Sequence, residues 1–186
     1  MTLIDAHLPV YQFRELHQQL IDAAPGDLLD AVYTPGIVDD PWVQWFIRLR
    51  EAPARLLSSL GYHSQLKDKS AFGLDDFTRL GQDSDREIAF GLVGRFWKFD
   101  YGLVAIADTH AFEQFSAMGI PKLVLNFSAE VSDAGRTWLR TETRIFCNDR
   151  KSLALFRPYW WLIRPVSGVM RRRLLRRIAT AAMHAA

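Results

Sequence analysis

Lys122-Leu123-Val124-Leu125-Asn126-Phe127-Ser128-Ala129-Glu130-Val131 alternates without a break. Leu123, Leu125, Phe127, Ala129 and Val131 fall on one side of an extended chain. Val124, Asn126, Ser128 and Glu130 fall on the other. Side chains of a strand point to alternate faces, so this run predicts an antiparallel strand with one core face. Just after it, Ser132-Asp133-Ala134-Gly135 carries turn chemistry, and Thr137 to Cys147 alternates again, which predicts a hairpin. Upstream, Ser70 to Phe77, Arg86 to Val93 and Phe96 to Asp108 also read as strands, with Gly81 to Asp85 as a loop. Thr109 to Met118 reads as a short helix between strands, anchored by Phe112 and Phe115.

The ends of the chain read differently. Val10 to Ile21 suggests an opening strand with imperfect alternation, broken by Ala24-Pro25-Gly26-Asp27. Asp27 can cap a short helix through Tyr33, and Thr34-Pro35-Gly36 is a turn. Asp40, followed by Pro41, starts a second helix with Trp42, Trp45, Phe46 and Leu49 on one face. Pro53 kinks or divides that helix before Gly61. After Asp149 as N-cap the chain is helical to the end, with Pro158 and Pro165 dividing it and Ser167 capping the last piece. That piece puts Met170, Leu174, Leu175 and Ile178 on one side. Arg172, Arg173, Arg176 and Arg177 lie largely on another.

Composition narrows the class. With 186 residues, 49% hydrophobic, the chain has the material for a single domain with a sizeable core. One cysteine, Cys147, excludes an intramolecular disulfide. No uncharged apolar run approaches the ~20 residues of a membrane span, and the first residues lack secretory signal features, so a cytoplasmic location is expected. Charge is divided sharply. Residues 1–149 hold 14 basic and 21 acidic residues, net −7, while residues 150–186 hold 9 basic residues and no acid, net +9.

The order of one strand, two short helices, a run of antiparallel strands and a long C-terminal helix resembles the START-like helix-grip superfamily, also called SRPBCC or polyketide cyclase-like. Val10 to Phe13, the Ala24-Pro25 turn and Leu28 to Val32 resemble its opening strand, turn and first helix. Gly91 to Trp97, Asn126-Phe127, Thr141 to Arg144 and Phe156 to Pro165 look like a bacterial branch of it. The resemblance implies a single α+β domain over residues 1–186, in which a curved antiparallel sheet wraps around the last helix and leaves a cavity between them. It implies no activity, because the superfamily spans lipid carriers, polyketide cyclases, ring-hydroxylating oxygenase domains and pure binding proteins. The chain lacks the spaced His/His/carboxylate set of a non-haem iron oxygenase.

Chemical constellations are sparse. His7, His17, His63, His110 and His184 show no metal-ligand spacing, so no metal and no cofactor are expected. Asp108-Thr109-His110 could orient a general base, but the favoured reading is a helix cap. Cys147, at the end of a strand, reads as a small buried hydrophobe. The glycines form no phosphate-binding loop. On the strand from Thr137, Arg140, Glu142 and Arg144 share one face, and Leu139, Thr141, Thr143 and Ile145 the other. The threonine hydroxyls could serve a ligand, or Glu142 could be a buried carboxylate held by arginine. A solvent-facing ladder of charges is the favoured reading.

The aromatic residues carry more weight, because they fall in the elements that wall the cavity in the superfamily. Trp97, Phe127, Tyr159 and Trp160, with Thr141 and Thr143, are the candidate ligand-binding residues, although core filling is the commoner fate of any one aromatic. For the basic tail, docking on the acidic body with guanidinium groups outward is favoured. Contact of Arg171, Arg172, Arg173, Arg176 and Arg177 with an anionic membrane or partner ranks second, and nucleic acid last. The leading expectation is a binder of a small, largely apolar ligand. The alternatives are a cyclase- or hydrolase-type enzyme using Asp108, His110 or Glu142, and a peripheral membrane or partner module.

Overall fold

In a computed structural model, which describes residues 1–34, 36–37, 74–98 and 101–185, the alternating run is strand β4 (Lys122–Val131). It pairs antiparallel with β5 (Thr137–Phe146), Lys122 opposite Phe146 and Val131 opposite Thr137. Gly135, at φ 75°, closes the hairpin in the left-handed conformation that glycine adopts without cost. β3 (Glu87–Val93) and β2 (Thr78–Asp83) extend the sheet beyond β4, and β1 (Phe13–Ile21) pairs with the far edge of β5. The result is a five-stranded antiparallel sheet of order β1-β5-β4-β3-β2. With the helices around it, the chain is α+β.

Two strand expectations need correction. Leu74–Asp76 is a 3-10 turn, and the edge strand starts at Thr78, running through the segment read as a loop. An irregularity between Arg79 and Gly81 breaks the alternation that would have revealed it. Among the described residues of 96–108 there is no named strand: Gly94 bridges Leu103, and Tyr101 and Gly102 sit at positive φ. Thr109–Gln114 is the expected short helix, here α3, although it ends sooner. The helix expected from Asp40 and its break at Pro53 lie outside the described residues.

Three more helices lie among the described residues. α1 (Leu3–His7) precedes β1, and α2 (Pro25–Asp30) follows it, continued by a 3-10 turn over Ala31–Tyr33. The last, α4 (Arg150–Ala185), spans 36 residues. Asp149 caps it as expected, accepting the Ser152 N–H at 2.9 Å and the Gly119 N–H at 2.6 Å. Pro158 and Pro165 do not divide it. Each proline lacks an N–H and frees the carbonyl four residues back, on Ala154 and Trp161. All four residues are exposed, so water can take the freed carbonyls. Ser167 is therefore mid-helix rather than a cap.

α4 and α2 cover one face of the sheet. At one end Leu175, Ile178 and Ala182 of α4 pack with Leu28, Phe127 and Leu139. At the other, Phe156 and Trp160 pack with Phe13, Phe96 and Ile145. Phe13 and Phe156 meet edge to face at 4.9 Å. The opposite face is also covered. Ile4 and Leu8 of the α1 region and Phe112 of α3 pack on Ala89, Val93 and Val124. The expectation of one core face for β4 is thus corrected: Val124 is fully buried and Asn126 is 3% exposed.

Candidate functional site

β1 places Phe13, Glu15, His17 and Ile21 toward α4. Phe13 and Ile21 join the two apolar clusters, so the two polar residues fall between them. Across the ladder Glu15 stands opposite Thr143, and His17 opposite Thr141. From above, α4 contributes Ser167 and Arg171, four residues apart and hence on one helix face. The six form a polar island midway along an apolar interface.

Hydrogen bonds organise it in two sets. The Ser167 hydroxyl donates to Glu15 Oε2 at 2.9 Å, and His17 Nε2 lies 2.8 Å from Glu15 Oε1. The Arg171 guanidinium donates to Thr141 Oγ1 at 2.9 Å and Thr143 Oγ1 at 2.6 Å. Among the described residues no carboxylate lies at ion-pair distance from Arg171, and Glu15 acts on it only through its charge. Burial pushes the Arg171 pKa down to about 10, against the pull of Glu15, so it remains a cation at neutral pH. Arg171 keeps some accessible surface as a residue although its guanidinium lies deep, and that side chain borders a cavity.

The cavity measures about 200 Å³ and lies between the sheet and α4. Phe77, Phe96, Phe156, Tyr159 and Trp160 supply aromatic wall, and Leu92, Leu123, Ile145, Ile163 and Met170 aliphatic wall. Glu15, Thr143, Ser167 and Arg171 form its polar end. Of the ligand-binding candidates, Thr143, Tyr159 and Trp160 line the cavity. Thr141 is bound to Arg171 beside it. Phe127 lies in the core and Trp97 packs behind Phe156 at 6.5 Å.

The catalytic candidates do not converge. Asp108 is exposed and caps α3 by accepting the Ala111 N–H at 2.8 Å, which is the cap reading, and His110 is exposed on α3. Glu142 is on the opposite face, and the solvent-facing charge ladder is overturned there. Glu142 and Arg144 are both under 10% exposed beneath α1, and Arg14 and Arg144 both donate to Glu142 at 2.7 Å. The acid inside the cavity is instead Glu15. It stands between Ser167 and His17, so the hydroxyl faces the carboxylate and not the imidazole. A nucleophile relay needs the imidazole in that middle place. Cys147 is a buried thiol whose pKa burial pushes up to about 11, as its hydrophobe reading implies.

The arginine set also divides. Arg171 turns inward, a correction to its place among the surface arginines. It lies on the helix face of Ile163 and Ser167, which its neighbours Arg172 and Arg173 do not share. Arg172 and Arg176 are exposed, and Arg177 donates to the Gly36 carbonyl at 2.7 Å. Among the described residues no cluster of His, Cys, Asp and Glu could hold a metal, and no helix is long and apolar enough to cross a membrane. No protein-family model matches the chain, and a search of curated proteins finds no match.

Proposed function

We propose that the chain is a binding protein of the helix-grip type, which takes a small, largely apolar ligand between the sheet and α4. The element order and the packing of the last helix on one sheet face support the fold part of this reading. The observation that carries the function is the aromatic-walled cavity of about 200 Å³. An apolar cavity of roughly 150 Å³ can hold benzene, and drug-sized ligands need ~300–1,000 Å³, so the fitting ligand is a single ring or short chain. The test is native mass spectrometry and dye displacement on the purified protein, with Ile163→Trp as a cavity-filling variant. A co-purifying hydrophobe, or dye binding abolished by I163W, supports the proposal. Dye binding that I163W leaves unchanged, or no apolar binding at all, overturns it.

A second reading is contact of α4 with an anionic membrane surface. It is favoured by Trp161 and Leu162, 67% and 78% exposed on the outward side between exposed Arg157 and Arg164. The arrangement moves the candidate surface toward the first half of the helix. Flotation with vesicles containing phosphatidylserine tests it. Binding that Trp161→Ser weakens supports it, and equal flotation with neutral vesicles counts against it.

A further inference from the structure

We propose that the cavity selects a monoanionic ligand, a carboxylic acid with a compact apolar body, whose carboxylate docks on Arg171. The proposal rests on the cavity-binding reading and names the ligand class for the same site. A guanidinium carries five N–H donors, and Arg171 spends two on the neutral hydroxyls of Thr141 and Thr143. Both oxygens of Glu15 already accept, one from Ser167 and one from His17. Glu15 thus offsets part of the buried charge without pairing with it. A buried guanidinium without a bonded anion is costly, and a carboxylate is the group whose two oxygens match its planar fork.

Geometry selects further. The threonines brace the guanidinium from the sheet side, and Arg171 and Met170 border the cavity from α4. Beyond this polar end the wall is aliphatic and aromatic, with hydroxyls on Tyr101 and Tyr159, which suits a compact apolar body carrying one charged head group. A cationic ligand would meet Arg171 as a like charge. A dianion such as a phosphate monoester would be desolvated beside Glu15 with one guanidinium to balance it.

Isothermal titration with 3-phenylpropanoate and 3-phenylpropan-1-ol tests the inference, since the two share a body and differ in the head group. The acid is expected to bind roughly tenfold or more tightly than the alcohol, the worth of a charge-assisted pair of hydrogen bonds. Arg171→Gln is expected to abolish that preference while alcohol binding persists. Should R171Q fail to fold, Thr143→Val gives the second measurement, with acid affinity falling and alcohol affinity held. Equal binding of acid and alcohol, or a preference that survives R171Q, overturns the inference and leaves the apolar-ligand reading standing. Failure of both probes where an apolar dye still binds has the same meaning. If the dye fails too, both fall.

Discussion

Glu142 shows how much one residue's surroundings decide. Burial raises its pKa, but hydrogen bonds and charge from Arg14 and Arg144 outweigh that, and the net shift is downward. A depressed carboxylate stabilises the fold at neutral pH, and that contribution is lost as pH falls through and below the usual carboxylate range. The urea midpoint is therefore expected to drop between neutral pH and acid. Glu142→Gln should cost roughly 1–3 kcal/mol at neutral pH and flatten part of that acid dependence. An E142Q protein with unchanged midpoints would refute the clamp. Gly91 gives a steric counterpart. A Cβ there would sit 2.8 Å from two ring carbons of Phe112 and 2.9 Å from Leu80. Gly91→Ala should destabilise by about 1–3 kcal/mol in the same assay, through overpacking of the core under α3. The sequence told which residues share Glu142's face and could not tell what covers them. α1 has five residues, too few for a helical period to be read.

Among the elements, α4 departs furthest from its sequence pattern. A proline inside a helix normally costs about 3 kcal/mol, which is why Pro158 and Pro165 read as breaks. They are seven residues apart, hence on one side of the helix, and both are exposed. Phe156 and Trp160 are buried on either side of Pro158, and Ile163, Ser167 and Arg171 face the sheet around Pro165, which holds the helix through both positions. Pro158→Ala and Pro165→Ala should each raise stability, by about 1–3 kcal/mol less the entropy that a freer unfolded chain regains. A fall in the urea midpoint for both would argue against an unbroken helix. The strands follow the same logic. β3, β4 and β5 were legible because large apolar residues recur at every second position on the face toward α4, although the other face is buried as well. The edge strand β2 was not, because Gly81 and an irregular register remove the pattern. The site was half legible. Thr143, Tyr159 and Trp160 were named for their chemistry and place. Glu15 and His17 were missed because polar residues sit where alternation expects apolar ones, while Leu16, 42% exposed, points away. The available signal was the spacing of Phe13, Glu15, His17 and Ile21, and of Ile163, Ser167 and Arg171.

For the molecule as a whole, both sheet faces are covered and each face buries charge. On the inner face Glu15 and Arg171 meet a cavity. On the outer face the charged groups are closed by protein. Glu87 accepts the Leu3 N–H at 2.7 Å and a bond from Asn126, and Arg144 donates to Asp5 at 2.7 Å. The two faces have different consequences. Outer-face charges are served by α1 together with Arg14 and Asn126 of the sheet, so they act on stability, whereas Arg171 borders the cavity and can act on a ligand. The division of charge at residue 149 takes a new sense from this. The basic helix is not an appendage, since it closes the cavity with one face and carries exposed arginines on the other. Deleting residues 2–8 separates the two roles. It strips Ile4 and Leu8 from the outer core and leaves Glu87 and Arg144 short of partners, which should cost several kcal/mol. The urea midpoint should fall steeply. Affinity for an apolar probe, measured at a temperature where the shortened chain is folded, should change by less than about threefold, because α1 lies across the sheet from the cavity. Lost binding in a folded shortened chain would place the ligand on the outer face, and an unshifted midpoint would show that α1 closes nothing.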